Sequence, residues 1–557
     1  MRNHTQKLRA LFLFSVFLFT NCRPDPPPQT YDLLIHNALI YNGSGEKPFR
    51  GDLAINADTI AAIGNLERDT GRHELDARGM GLSPGFVNML SWAVNLLDDG
   101  RGMSDLKQGV TLEVLGEGTS LGPFILPLVK NTAVPLTSFG DHFNYLERKG
   151  IAVNVASFVG AATIRAYELG FDDVDPTPEQ LERMKNQVRK AMREGALGIG
   201  AALIYTPGVY AETEELIEIC KAAAEYDGMY ISHMRSEGNQ LLEAVDEVIR
   251  IAKTAKIDAE IYHLKAAGRE NWWKLDPVIA KINRARKEGI HLAANMYTYT
   301  AGSTGLDAAM PPWVQEGGYP QWVARLRDPH IRRRVIDEMR SGQQTWENLA
   351  RLAGAEGTLL VGFRKKNLRD QYAGKTLAEV ARLRNQSPED AAIDLVIQDG
   401  SRVEVVYFLM SEENLKKQIK LPYMSFCSDA NAPAIEHSGR GASTHPRKYG
   451  NFARLLGKYV RDEKVIPLED AIYKLTHLSV QKLKIQKRGL LKPGYYADVV
   501  LFNPAIIQDH ATYENPHQYA TGVEHVWVNG VQVLKNGKYT GAMPGRFVKG
   551  PGFRETK

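Results

Sequence analysis

The sequence predicts an α/β fold: repeated βα units around a parallel sheet, flanked by a small β-module assembled from both chain ends. Three observations carry this. Short apolar runs alternate with helical stretches at intervals of about 30 residues through the middle of the chain. Both ends instead carry alternating strands punctuated by Asn-Gly and Gly-Asp turns. Residues 335–405 break the rhythm with polar helical sequence, which reads as an inserted subdomain.

The N-terminus is set apart from the fold. Arg2, Lys7 and Arg9 precede an apolar run from Ala10 to Thr20, too short to span a bilayer but matched to the core of a secretory signal. The run ends at Cys22, followed by RPDPPPQT, an extended tether over 23–30. Residues 1–22 thus resemble a bacterial lipoprotein signal, with an ordinary cleaved signal as the alternative. The implied location is export to the periplasm or anchorage facing it, with membrane contact only through a lipid on Cys22.

From Tyr31 the strands run through YDLLIHNALIYNG, GDLAINADTIAAIG and HELDARGMGLSPGF, and the same character returns in GYYADVVLFNP and GVEHVWVNGVQVLKNGK. We expect 31–86 and 481–548 to form one composite β-sandwich. Residues 87–480 should hold the βα units, as in IAVNVASFVG, PEQLERMKNQVRKAMREG, ALGIGAALIY, TEELIEICKAAAEYDG and MYISHM.

Charge and composition narrow the function. The balance of 69 basic against 65 acidic residues leaves a formal net charge of +4, without a basic block, so nucleic acid is not an expected partner. Three cysteines cannot build a disulfide framework.

In a (β/α)8 barrel, functional residues sit where strands end. His233 closes GMYISH and His263 closes DAEIYH, one βα repeat apart, so their imidazoles can share a metal such as Zn2+. Asp429 closes PYMSFCSD, where a carboxylate can ligate a metal or serve as a base. Glu117, after VTLEVLG, is a further acidic candidate. Read without context, each of these residues also fits a purely structural role.

Several motifs together resemble the N-acyl-D-amino-acid deacylase branch of the amidohydrolase superfamily: SPGF (83–86), SHMRSEG (232–238), HLKAAG (263–268), YTYTAGSTGLDAA (297–309), SDA (428–430), HPRKYGNFARLLGKYV (445–460) and RGLLKPGYYADVVLFNP (488–504). The resemblance spans about 31–548. It implies a metal-dependent (β/α)8 barrel that hydrolyses the amide bond of small N-acyl-D-amino acids. It assigns His233 and His263 to the zinc, Asp429 to proton transfer and Tyr205 to the active-site lining. It also assigns Lys265, Tyr297, Ser303 and Arg440 to the substrate carboxylate, and Met410 to the acyl-side pocket.

Two positions depart from the family pattern. Leu90 and Trp92 stand where relatives carry a His-x-His pair, and neither can ligate a metal. Gly118 stands in place of a metal-binding Cys, with Glu117 one position earlier. The expectation is one Zn2+ on His233, His263 and Glu117. Two rivals stay open: a binding protein that has lost catalysis, or a cyclic-amide or dipeptide hydrolase. The latter often bridges two metals with a carboxylated lysine, for which no strand-end lysine is evident in the first half of the barrel.

Overall fold

The computed structural model describes residues 27–124, 136–342, 345–437 and 443–555. Its centre is a closed barrel of eight parallel strands: Phe86–Asn88, Val110–Leu115, Asn154–Ser157 (continued by Val159–Gly160), Gly198–Ala202, Met229–His233, Asp258–Ile261, Leu292–Met296 and Met424–Phe426. The ring closes where the Met89 amide donates to the Phe426 carbonyl at 3.2 Å. The second, fourth, fifth and seventh strands are buried along their whole length, as parallel strands covered by helices should be.

The helices between them follow local rules. Pro178–Arg193 starts with Thr177 and Gln180 in a reciprocal capping box and Pro at its first turn, and buries Met184, Val188, Ala191 and Met192. This places one apolar stripe on the barrel and leaves the charged faces in water.

Both chain ends meet in one nine-stranded sheet. Val499–Phe502 pairs antiparallel with Gly81–Pro84, in register Val499↔Pro84 to Phe502↔Gly81. Around that seam Ile35, Leu53, Leu82, Val499, Leu501 and Trp527 pack into a separate apolar core.

The excursion between the seventh and eighth strands opens earlier than residue 335. It begins with Ala301–Gly305, which pairs with Glu404–Phe408, and Thr358–Gly362 adds a third antiparallel strand. The sequence AGSTG lacks the apolar alternation that marks a strand, and its pairing is supplied by the partner EVVYF. Helices Tyr319–Arg327 to Pro388–Asp399 pack on this sheet around Leu306, Trp322, Val380 and Leu395. No helix among the described residues is long and apolar enough to cross a membrane. Cys22 and the preceding signal lie outside the described residues.

Candidate metal centre

Three buried side chains from separate strands converge at the barrel mouth. Glu117 follows the second strand, His233 ends the fifth and His263 lies just past the sixth. His233 Nδ1 and His263 Nε2 are 3.0 Å apart, and Glu117 Oε1 lies 3.3 and 2.9 Å from them. Ligands on a tetrahedral zinc with bonds of ~2.0–2.1 Å are separated by about 3.3 Å, close to this triangle. Two imidazole nitrogens and a carboxylate oxygen form the expected donor chemistry for zinc, so the residues present fit the ion.

Local backbone explains why Glu117 supplies the oxygen. Gly118 adopts φ +63°, and a Cβ there would approach Ala202 Cβ to 2.6 Å. A side chain at 118 is therefore excluded in this turn, and the neighbouring position reaches the histidines. His263 and Asp429 also hold positive φ, 31° and 48°. Such strain persists only when surroundings enforce it. The His263 amide donates to Asn295 Oδ1 at 2.8 Å, and Asn295 in turn donates to the buried Glu260 at 2.7 Å.

Glu237 forms a second layer that the sequence reading did not single out. Its Oε1 lies 3.0 Å from His263 Nδ1, and its Oε2 lies 3.8 Å from His233 Nε2. Glu237 thus contacts the Nδ1 edge of His263, while the Nε2 edge of the same ring faces Glu117 at 2.9 Å. Lys265 Nζ donates to both Glu237 oxygens at 2.7 and 2.8 Å, and lies 2.7 Å from His263 Nδ1. The ammonium expected on a substrate carboxylate is thus already paired. Burial opposes ionisation of Glu237, but Lys265 and the two histidines hold it well below the usual carboxylate range. Glu117 behaves alike: burial raises it, and the histidines outweigh burial. For His263, burial and Lys265 favour the neutral ring, yet Glu237, Asp429 and Glu117 together push it up to about 9.

Asp429 lines the same cavity, of about 960 Å3. Its Oδ2 accepts from Arg447 Nη1 at 2.6 Å, and its amide donates to Leu90 O at 2.9 Å. Burial raises its pKa more than Arg447 lowers it. Arg447 also donates to Ser303 O at 3.2 Å and stacks 4.6 Å over Tyr297, and its buried Nε has no hydrogen-bond partner among the described residues.

Tyr205, Tyr297 and Ser303 line the cavity, with the Tyr205 ring 5.5 Å from that of His233. Met410 sits behind Tyr297, whose hydroxyl lies 3.9 Å from its sulfur. Arg440 lies outside the described residues. The guanidinium found beside Tyr297 and Ser303 is Arg447, seven positions on and inside the HPRKYG motif. Leu90 is fully buried in the barrel interior, and Trp92 lines the cavity.

Residues 73–534 match the model of the Amidohydrolase family. The chain belongs to that family. It is 31% identical to D-aminoacylase of Alcaligenes xylosoxydans xylosoxydans over 532 residues, covering 93% of this chain and 97% of the relative. It is 29% identical to N-acyl-D-glutamate deacylase of the same organism, covering 90% and 93%. Among solved structures, N-acyl-D-glutamate deacylase from Bordetella bronchiseptica, in complex with zinc and a phosphonate inhibitor, superposes with a TM-score of 0.78 at 27% identity, covering 93% of this chain and all of that one. This amidohydrolase is therefore of the D-aminoacylase type, a hydrolase of carbon–nitrogen bonds other than peptide bonds.

Proposed function

We propose that this amidohydrolase cleaves N-acyl-D-amino acids to a carboxylate and a free D-amino acid, using one divalent ion held by Glu117, His233 and His263. The observation carrying this is the buried triangle of one carboxylate and two imidazoles opening into the cavity. An ion bound there would polarise the scissile carbonyl and acidify a water.

The chain's own groups divide the remaining work. Asp429, with one oxygen held by Arg447 and a raised pKa, takes a proton from the attacking water and returns it to the departing amine. A substrate carboxylate entering beside Tyr297 and Ser303 meets the Arg447 guanidinium, whose N–H groups beyond those given to Asp429 and Ser303 O support a charge-assisted hydrogen bond. Glu237 and Lys265 hold the histidine rings in place. A single ion fits better than two, because Leu90 and Trp92 cannot ligate and Arg447 already neutralises Asp429.

The test is metal analysis of the purified protein with assays of acyl release from N-acyl-D- and N-acyl-L-amino acids. One metal per chain and D-selective hydrolysis are expected. Hydrolysis without stoichiometric metal, or equal rates on both enantiomers, overturns the reading. Export with a lipid on Cys22 belongs to the same proposal, and Cys22→Ser should move the protein from the membrane to the soluble fraction.

A further inference from the structure

Trp92 carries a contact that its position alone does not require. Its indole Nε1 donates to Glu117 Oε2 at 2.8 Å, while Oε1 of the same carboxylate faces both histidines. Glu117 is only 4% exposed, so few other donors can reach Oε2. The indole is itself pinned: the Trp92 amide donates to Ala430 O at 2.9 Å, and Ser91 bridges Ala430 in parallel register. The closure of the first strand against the loop after the eighth thus sets where the indole N–H points. A carboxylate with one oxygen fixed by a rigid donor has its other oxygen aimed, and this is how a neighbour of a ligand tunes a metal site.

We propose that Trp92 is a positioning residue for the metal centre. By holding Glu117 Oε2, it aims Oε1 between His233 and His263 and so raises the affinity of the chain for a divalent ion. Residue 92, which cannot bind the ion, serves the site through the ligand that can. The inference rests on the metal-binding reading above.

Trp92→Phe keeps an aromatic ring and removes only the donor. Zinc affinity of the wild type and the variant would be measured by competition with a chromophoric chelator. The visible spectrum of each Co2+-loaded protein and the melting temperature of each apo-protein would be compared. The expected result is zinc binding weakened by about tenfold to a hundredfold, an altered Co2+ spectrum and an unchanged apo melting temperature. Equal zinc affinity with identical Co2+ spectra overturns the role of Trp92 while leaving the metal site standing. A wild type that takes up no zinc overturns both.

Should Trp92→Phe fail to fold, the wild type still decides. Among its seven tryptophans, one indole 15N–1H resonance should shift when zinc is added, and that resonance should differ in Glu117→Gln. Seven indole signals indifferent to zinc and to Glu117→Gln overturn the proposal.

Discussion

The two sides of the barrel mouth are built on opposite electrostatic plans. On one side Glu117, His233, His263, Glu237 and Lys265 form a buried set in which two carboxylates face one ammonium and two imidazoles. That set offsets its two carboxylates with the Lys265 ammonium and a proton drawn onto His263, whose pKa is pushed up to about 9, and a divalent cation held by the rings would take that proton's place. On the other side Asp429 is balanced by Arg447, and Leu90 and Trp92 add no charge. The comparison teaches that the first side is arranged to hold a positive charge, a proton or a cation, between its carboxylates and rings. The second arrives already neutralised, which suits proton transfer and anion binding better than a second metal.

The strongest way to break this contrast is to remove a donor from the cation side. Glu117→Gln or His263→Ala should abolish stoichiometric metal and lower kcat/KM by at least about a thousandfold, several kcal/mol of transition-state stabilisation. Metal analysis alongside steady-state kinetics checks both. Next comes Asp429→Asn on the other side. It should retain one metal per chain while kcat falls by about 100- to 10,000-fold; loss of metal in this variant would show that the two sides are not separate.

A smaller effect is expected behind the ligands. Glu237→Gln should weaken metal affinity by about tenfold to a hundredfold, because Lys265 and both rings lose the charge that orients them. Chelator competition reads this directly.

The smallest effect lies beneath the neutral side. Asn88 Nδ2 bridges Asp105 and Glu113 at 2.9 and 3.0 Å and reaches Ser428 at 2.7 Å, all buried. Burial raises Glu113 to about 7 and Asp105 well above its usual value. The folded state therefore keeps a proton that the unfolded chain releases near pH 4.5. Its contribution is full below that pH and is lost as pH rises through about 7. Between pH 6 and 8 stability should fall by on the order of 1 kcal/mol from this source, and Asp105→Asn should flatten the dependence of melting temperature on pH.

Strand ends were the legible part of the site. His233, His263, Asp429 and Glu117 each close an apolar run, and the barrel brings all four to one mouth. Glu237, Arg447 and the Trp92 indole were not legible in that way, because their roles depend on approach between chain segments far apart in sequence. Glu237 and Arg447 sat inside motifs already noted, SHMRSEG and HPRKYG, but nothing in a motif tells which neighbour a side chain meets. The early start of the insertion was hidden for a related reason: AGSTG becomes a strand only through pairing with residues about a hundred positions later.

The seam between Gly81–Pro84 and Val499–Phe502 has a consequence in time. During synthesis the strand Thr30–Ile40 emerges first and pairs one side of Gly81–Pro84, yet the other side waits for more than four hundred further residues before its partner exists. Until then it is a bare sheet edge open to wrong partners. A chain shortened before residue 499 would keep every barrel strand and still leave that edge exposed, so completeness of the last segment governs whether the first one is safe.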